Sequence, residues 1–264
     1  ESMHMSGLDQ VWLPLSVMLL LAISVWALSI KLRDVSIVDS LWSIFFIVFT
    51  VLFAWRTGSD ATAAYVLIAL ILLWGLRLSA YITVRNHGKG EDRRYQAIRA
   101  RNQPNFEFKS LYLIFILQMV LATVIVLPVV PILNGAQDAN WLTYAGFAIA
   151  AFGALFETVA DAQMARYKAT RIAQDTVMNR GLWRYSRHPN YFGEATFWWG
   201  LWIASASMGG AWTLFSPLLM TWLLTRVSGV PLLEADLQQR SPAYREYLLT
   251  TPRFLPWRPK ATTQ

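Results

Sequence analysis

A run of cations and aromatic rings, RGLWRYSRHPNYFGE, occupies residues 180–194. The side chains of Arg180, Arg184 and Arg187 beside His188 can bind phosphates through charge-assisted hydrogen bonds. The neighbouring aromatic rings can pack against a cation or a planar ring. These residue types together are typical of a nucleotide pocket. Because the run lies between two apolar stretches, the sequence predicts that the pocket opens at a membrane face.

Ionisable residues within apolar segments are the second candidate group. Asp39, Arg77, Glu157 and Glu194 lie inside or at the edge of such segments. A charge within a membrane costs about 2.5 kcal/mol or more, so each is expected to have a partner or a water-filled cavity. All four lie toward the same ends of their helices, which predicts one shared polar cavity. Four separate ion pairs are the alternative.

Asp39 is the first candidate acid. In VSIVDSLWS, Ser36, Asp39 and Ser43 share one helical face, with Trp42 beside them. A carboxylic acid in that apolar setting could keep its proton at neutral pH and donate a hydrogen bond to a substrate. Capping of the helix by Asp39 or Ser36 is the alternative.

Polar residues of the following segments suit a cofactor with phosphates. In WGLRLSAY, Arg77 could pair with Asp39 or with a phosphate, and Tyr81 could donate to a carbonyl oxygen. The loop RNHGKGEDRRY combines glycines with cations, as a phosphate site or a plain basic loop would. Asp161, followed by further cations, suits a clamp for ribose and phosphate. The chain has no G-x-G-x-x-G motif and no P-loop, so helix ends and loops would hold any dinucleotide.

The composition indicates a membrane protein. Of the 264 residues, 55% are hydrophobic and only 15% are charged, against about 25% charged residues in soluble domains. The chain has no cysteine and three scattered histidines, so neither a disulfide nor a metal site is predicted.

The apolar pattern predicts an all-α integral membrane protein, a seven-transmembrane helix bundle. Cations gather in alternate loops, which places the N-terminus outside, the C-terminus in the cytoplasm and the cofactor-binding loops on the cytoplasmic side. Residues 1–5 are expected to be a cloning remnant, and residues 6–264 a single membrane domain. A short helix at 243–250, capped by Ser241, would make the tail an ordered lid. The predicted segments are near 10–30, 40–55, 62–84, 110–132, 141–160, 193–208 and 211–229, with a tail over 230–264.

Several motifs together resemble the bacterial branch of the steroid 5-alpha-reductase family. They are RGLWRYSRHPNYFGE, ADAQMARYK, GKGEDRRY and LLEADLQQRSPAYREYLLTTPRFLPW. The likeness covers about residues 33 to 258. An Arg-His-Pro-x-Tyr element also occurs in isoprenylcysteine and phospholipid methyltransferases and in sterol reductases, whereas Phe-Gly-Glu and GEDRRY are more similar to the reductases.

The resemblance implies a membrane reductase that transfers hydride from NADPH to the β carbon of an enone, such as a 4-ene-3-keto steroid. Asp39, assisted by Tyr81 and Trp42, would then stabilise the developing enolate. The chain lacks the Gln-Glu pair of the animal enzymes, so the carbonyl end is less defined than the cofactor end. The implied cofactor-binding positions are Arg77, Lys89, Arg94, Asp161, Lys168, Arg180, Tyr185, Arg187, His188, Asn190, Tyr191, Glu194, Glu234, Tyr244, Tyr247 and Arg253.

Two other functions compete with this one. An S-adenosylmethionine-dependent methyltransferase acting on a lipid or prenylated substrate would share the Arg-His-Pro-x-Tyr element, but its cofactor carries no phosphate to match so many cations. A transporter or lipid-binding protein would need no cofactor, but it would be expected to show repeated halves and broken helices. The expected partners are membrane lipids and an apolar substrate entering from the bilayer, with no nucleic acid and no metal. A monomer in the bacterial inner membrane is expected.

Overall fold

The computed structural model describes residues 7–135, 137–170, 177–227, 234 and 242–260. Within these ranges every regular element is helical and no strand occurs. The long helices are α1 (Gly7–Leu32), α2 (Val38–Thr57), α3 (Thr62–Asn86), α8 (Trp141–Thr170) and α9 (Pro189–Ser205). The shorter ones are α4 (Arg93–Arg101), α5 (Phe106–Ser110), α6 (Leu117–Ile125), α7 (Val129–Asn134), α10 (Phe215–Trp222) and α11 (Pro242–Thr250).

Five helical segments of the described chain are long and apolar enough to cross a membrane. They correspond to the first five predicted segments, and the helical membrane class is confirmed. They are Gln10–Leu32, Val35–Thr57, Thr62–Asn86, Phe106–Ile125 and Trp141–Thr170.

The sixth and seventh predicted spans are not confirmed, and the orientation of the termini stays a prediction. Helix α9 has 17 residues, fewer than the roughly 20 that a span needs. Residues 206–227 divide into short π, 3₁₀ and α turns. Met208 and Gly209 leave the helical conformation there, with Gly209 at φ 86°.

Two predicted boundaries also differ from the structure. The fourth segment ends at Ile125, and a separate helix resumes at Val129. Pro128 explains the break, because proline disfavours helical backbone in the residue before it. The fifth helix runs to Thr170, well beyond residue 160. Its last turns are polar but contain good helix formers, so the helix continues after its apolar stretch ends.

The chain forms two compact units: unit 1 comprises residues 1–144 and 204–216, and unit 2 comprises residues 145–203 and 217–264. In unit 1, buried aromatic side chains of α2 pack against α3. Phe46 and Trp74 meet edge to face with ring centroids 5.6 Å apart. Ser43 Oγ donates to the Gly75 carbonyl at 2.7 Å. This bond satisfies a buried hydroxyl and joins the two helices.

In unit 2, α8 and α9 approach closely along a line of glycines. A Cβ at Gly153 would lie 2.4 Å from the Phe197 backbone nitrogen, and one at Gly200 would lie 2.4 Å from the Ala150 backbone nitrogen. Gly193 meets the backbone of Glu157 in the same way, at 2.6 Å. Small residues allow such contact between membrane helices. The start of α9 and its polar residues are therefore held against α8.

Candidate functional site

The segment before α9 is fixed against α8. Gly181 has φ +57°, a left-handed conformation that glycine adopts without strain. The next amide, Leu182 N–H, donates to Gln163 Oε1 at 2.9 Å. Trp183 Nε1 donates to the Ala160 carbonyl at 2.9 Å. These contacts hold the arginine-rich segment beside the last turns of α8.

Arg187 is the centre of a buried polar cluster in unit 2. It is only 9% exposed, and its Nε donates to Glu234 Oε1 at 2.8 Å. Its Nη1 donates to the carbonyls of Leu248 and Thr251, at 2.7 and 3.2 Å. Those carbonyls lie at the C-terminal end of α11, where backbone acceptors lack helical partners and a cation is favourable. Arg187 therefore caps α11.

His188 and Arg253 meet the same carboxylate. His188 Nε2 lies 3.0 Å from Glu234 Oε1, and Arg253 Nε lies 3.9 Å from Oε2. Burial alone would raise the pKa of Glu234, but the hydrogen bond with His188 and the charge of Arg187 outweigh it and hold that pKa below 4.5. Burial lowers the pKa of His188 below 6.5, against the influence of Glu234. At neutral pH the cluster is thus an ionised carboxylate between an arginine and a neutral imidazole.

The C-terminal segment, residues 242–260, is attached to residues 183–187 by hydrogen bonds to main-chain carbonyls. Arg187 N–H donates to the Pro252 carbonyl and Trp257 N–H donates to the Tyr185 carbonyl, each at 2.9 Å. The Tyr247 hydroxyl donates to the Trp183 carbonyl. The predicted helix 243–250 is confirmed as α11, while Ser241, its predicted cap, lies outside the described residues. These contacts hold residues 242–260 against residues 183–187.

The other predicted cofactor residues of unit 2 divide by exposure. Asp161 and Glu194 are buried, as is Tyr244 beside Tyr247. The Asn190 Oδ1 atom is buried and has no hydrogen-bond partner among the described residues. The Tyr191 ring stacks on His188, with centroids 5.5 Å apart. The exposed members are Lys168, Arg180, Tyr185 and Arg253.

In unit 1, Asp39 lies in a second polar cluster. Asp39 Oδ2 accepts from Arg94 Nη2 at 2.9 Å, and Oδ1 accepts from the Tyr95 hydroxyl at 2.6 Å. Gln118 Nε2 donates to the same hydroxyl at 3.2 Å. Burial, with the adjacent Asp39 carboxylate, raises the pKa of Tyr95, so the phenol stays protonated and donates. Asp39 is therefore an acceptor here, which differs from the proton donor that its apolar sequence setting suggests.

Arg94, predicted to bind cofactor phosphates, contacts carboxylates in the structure. Its guanidinium binds Asp39 and, at 3.0 Å, Asp92. The phenol beside Asp39 is Tyr95, whereas Tyr81 lies under the Arg85 guanidinium at 5.7 Å. Sequence reasoning missed Tyr95 and Gln118. The signal for Tyr95 was its place at the end of GEDRRY, directly after Arg94.

The remaining predicted residues of unit 1 have structural contacts. The Ser36 hydroxyl binds Asp34, which caps the 3₁₀ turn before α2. The N-cap of α2 is Ile37, without a side-chain cap hydrogen bond, so neither Asp39 nor Ser36 caps α2. Trp42 packs edge to face on Phe46 with centroids 5.1 Å apart. Arg77 is partly buried in α3. Lys89 is exposed, and its ammonium binds the Arg85 carbonyl.

GEDRRY fastens the loop after α3 to the start of α2. Glu91 Oε1 accepts from the Val35 amide at 3.0 Å and from Arg99 Nη2 at 2.8 Å, while the Asp92 amide donates to Ser36 Oγ at 3.2 Å. Burial alone would raise the pKa of Glu91, but the hydrogen bonds from Arg99 and Val35 hold it below 4.5. The motif thus builds the support on which Arg94 and Tyr95 reach Asp39.

Comparison with known proteins identifies the family of this chain. The model of a family described as "Protein of unknown function (DUF1295)" matches residues 25–251. The chain belongs to the DUF1295 family. This is a membrane protein family related to steroid-reductase-like proteins, and the match carries no activity with it. No curated protein and no solved structure matches the chain.

Proposed function

We propose that this DUF1295 protein is an NADPH-dependent membrane reductase. It would transfer hydride to the β carbon of an enone, such as a 4-ene-3-keto steroid, and the α carbon of the resulting enolate would take a proton from water. The proposal rests on the reductase-like motifs together with the family match over residues 25–251. The observations that carry it are the polar cluster around Arg187 and Glu234 and the buried Asn190 Oδ1 atom, both in unit 2.

That cluster joins three distant segments of the chain. The end of α8, the segment 181–194 and the C-terminal segment are linked by the Trp183–Ala160, Arg187–Glu234 and Arg187–Leu248 hydrogen bonds. Buried polar groups normally have partners, yet the Asn190 Oδ1 atom has none among the described residues. An amide or hydroxyl donor of a bound cofactor would satisfy it.

The residue types of unit 2 fit a phosphorylated dinucleotide. Because Arg187 is bound to Glu234, the exposed Lys168 and Arg180 are the candidates for phosphates. The Asp161 carboxylate suits ribose hydroxyls, and the stacked rings of His188 and Tyr191 offer an aromatic surface. Arg187 and His188 themselves would act indirectly, by holding the C-terminal segment in place. Bound NADPH would supply the hydride.

The substrate end of the proposal concerns Asp39 and its neighbours in unit 1. Reduction of an enone develops negative charge on the carbonyl oxygen, and each donor aimed at that oxygen would stabilise the transition state by about 3 to 4 kcal/mol. The Tyr95 hydroxyl donates its one hydrogen to Asp39 at 2.6 Å, so it could recognise a carbonyl oxygen only if that hydrogen turned from Asp39 to the substrate. On that condition Tyr95 joins Asp39, Trp42 and Tyr81 as a candidate for carbonyl recognition.

Cofactor binding is the first test. Purified protein is titrated with NADPH and, separately, with S-adenosylmethionine, and the melting temperature is followed. We expect NADPH alone to raise it. A response to S-adenosylmethionine alone would favour a methyltransferase, and no response to either would favour a transporter or lipid-binding protein.

A matched pair of arginine variants tests the phosphate assignment. Arg180→Gln is expected to weaken NADPH binding about tenfold to a hundredfold, the cost of one hydrogen bond between charged groups. Arg101→Gln removes the same charge from an exposed position in α4 and is expected to leave the dissociation constant unchanged. Equal dissociation constants in the two variants would contradict the assignment of Arg180.

Activity is the second test. NADPH oxidation is measured with a panel of enones that includes progesterone and testosterone. Oxidation that depends on an enone would support the reductase. Tight NADPH binding without NADPH oxidation in the presence of any steroid would support the cofactor assignment and contradict steroids as the substrate.

A further inference from the structure

The C-terminal segment exposes large apolar side chains although it lies outside the five candidate spans. Leu249, Leu255 and Trp257 are 76%, 68% and 75% exposed. Large apolar side chains exposed within one short segment are candidates for contact with an apolar phase or partner.

The backbone that carries these side chains is fixed. Trp257 N–H donates to the Tyr185 carbonyl at 2.9 Å, and Lys260 N–H donates to the Thr250 carbonyl at 2.8 Å. The second bond closes residues 250–260 into a loop whose two ends meet beside Leu249. The three apolar side chains therefore belong to one closed structure and not to a loose tail.

Contacts within unit 2 define the level of this loop relative to the bilayer. The loop is bonded to residues 185–187, and the adjoining Leu182 and Trp183 are bonded to Gln163 and Ala160 of α8. Helix α8 is one of the candidate spans, and its apolar stretch ends near residue 160. Asp161, Arg166 and Lys168 follow in its last turns. The loop is thus held at the level where α8 leaves the apolar core and enters the interface.

The charge of the segment matches an anionic lipid surface. Residues 242–260 contain four cations and one carboxylate, Glu246. Arg253, Arg258 and Lys260 are exposed on the same loop as Leu255 and Trp257. Tryptophan is enriched at membrane interfaces, and cations near the surface are attracted to anionic headgroups.

We propose that residues 249–260 form an interfacial membrane anchor. Leu249, Leu255 and Trp257 enter the boundary between headgroups and acyl chains, and Arg258 and Lys260 lie among the phosphates of anionic phospholipids. The anchor holds the C-terminal segment, and with it Glu234 and α11, against the bilayer. This inference does not depend on the proposed reductase activity.

Because the chain has no cysteine, single cysteines can carry a nitroxide spin label without any background substitution. Leu255→Cys reports on the anchor and Leu249→Cys repeats the measurement at a second exposed site. Glu246→Cys is the control in water, on an exposed polar position of α11. Leu73→Cys is the reference in lipid, on a 72% exposed position of α3. All four sites are exposed, so labelling removes little packing.

The protein is placed in nanodiscs containing phosphatidylglycerol, and the accessibility of each spin label to oxygen and to an aqueous nickel complex is measured. We expect the labels at 255 and 249 to be protected from nickel, as at 73, at a depth of about 5 to 10 Å below the phosphates. The label at 246 should be open to nickel. If the labels at 255 and 249 are both as accessible to nickel as the label at 246, the anchor is excluded. This holds both for side chains that face water and for side chains that bind another protein.

A comparison of two lipid compositions tests whether the cations bind anionic phospholipids. In nanodiscs of phosphatidylcholine alone the labels at 255 and 249 should lie shallower, and Arg258→Gln with Lys260→Gln should produce the same shift in phosphatidylglycerol. An equal depth in both lipids, unaffected by the two charge substitutions, would overturn the assignment of the cations to anionic lipid phosphates.

Discussion

Arg187→Met is expected to loosen the C-terminal segment from unit 2. The side chain is 9% exposed, so solvent screens its interactions little. Methionine keeps much of the apolar length but removes the donors to Glu234, Leu248 and Thr251. Removing one partner of a buried ion pair costs about 3 to 5 kcal/mol, because the other charge is left without compensation. His188 stays beside Glu234, which favours the lower end of that range.

A double-mutant cycle with Glu234→Gln isolates the ion pair from the capping of α11. The Arg187–Glu234 term should be about 1.5 to 3 kcal/mol, that of one hydrogen bond between charged groups. The destabilisation by Arg187→Met that exceeds this coupling energy is the contribution of the contacts with the Leu248 and Thr251 carbonyls. Arg187→Lys is the matched control for charge, because it keeps the cation but not the fork that reaches several acceptors.

The assay is unfolding in mixed micelles by increasing SDS, combined with limited proteolysis of the C-terminal segment. We expect Arg187→Met to shift the unfolding midpoint to lower SDS and to speed cleavage after residue 242, with NADPH binding weakened as a consequence. If Arg187→Met keeps the stability and the cleavage rate of the wild type but binds NADPH more weakly, the capping role is refuted. Direct contact between Arg187 and the cofactor would then be favoured. A coupling term near zero would refute the ion pair.

The remaining predictions concern single contacts of the two units. Tyr95→Phe is expected to cost about 1.5 to 3 kcal/mol of stability in SDS unfolding, because a buried carboxylate loses a donor, whereas Tyr112→Phe, at an exposed site, should cost nothing; equal losses would contradict the cluster. Because burial lowers the pKa of His188 below its ordinary 6.5, the unfolded chain takes up the proton first, so stability is present above that pH and falls as the pH drops below it. Melting temperatures at several pH values should show this fall in wild type and in the control His87→Gln, but less in His188→Gln. Gly200→Ala puts a Cβ 2.4 Å from the α8 backbone and should cost about 1 to 3 kcal/mol, which an unchanged melting temperature would contradict.

The helical membrane class was predictable because it depends on local properties. A run of about 20 apolar residues has few other stable arrangements, since a bilayer leaves backbone polar groups no outside partner. Helix α11 was predictable for a similar reason, with Pro242 at its first position and Pro252 after its end. The hydropathy limit near residue 160 differs from the end of α8 at Thr170, because hydropathy reports where a span leaves the membrane and not where its helix stops.

Residue types and their spacing were enough to select the side chains that could do chemistry: Asp39, the cations and rings of 180–194, and the acidic and aromatic residues of the tail. The packing of the helices then sets the partner of each one. It directs Arg187 to Glu234, 47 residues away, and it puts Tyr95 rather than Tyr81 against Asp39. Residue type cannot distinguish an arginine that binds a phosphate from one that caps a helix, because both need the same donors. The choice depends on which acceptor the packed helices bring within hydrogen-bonding distance.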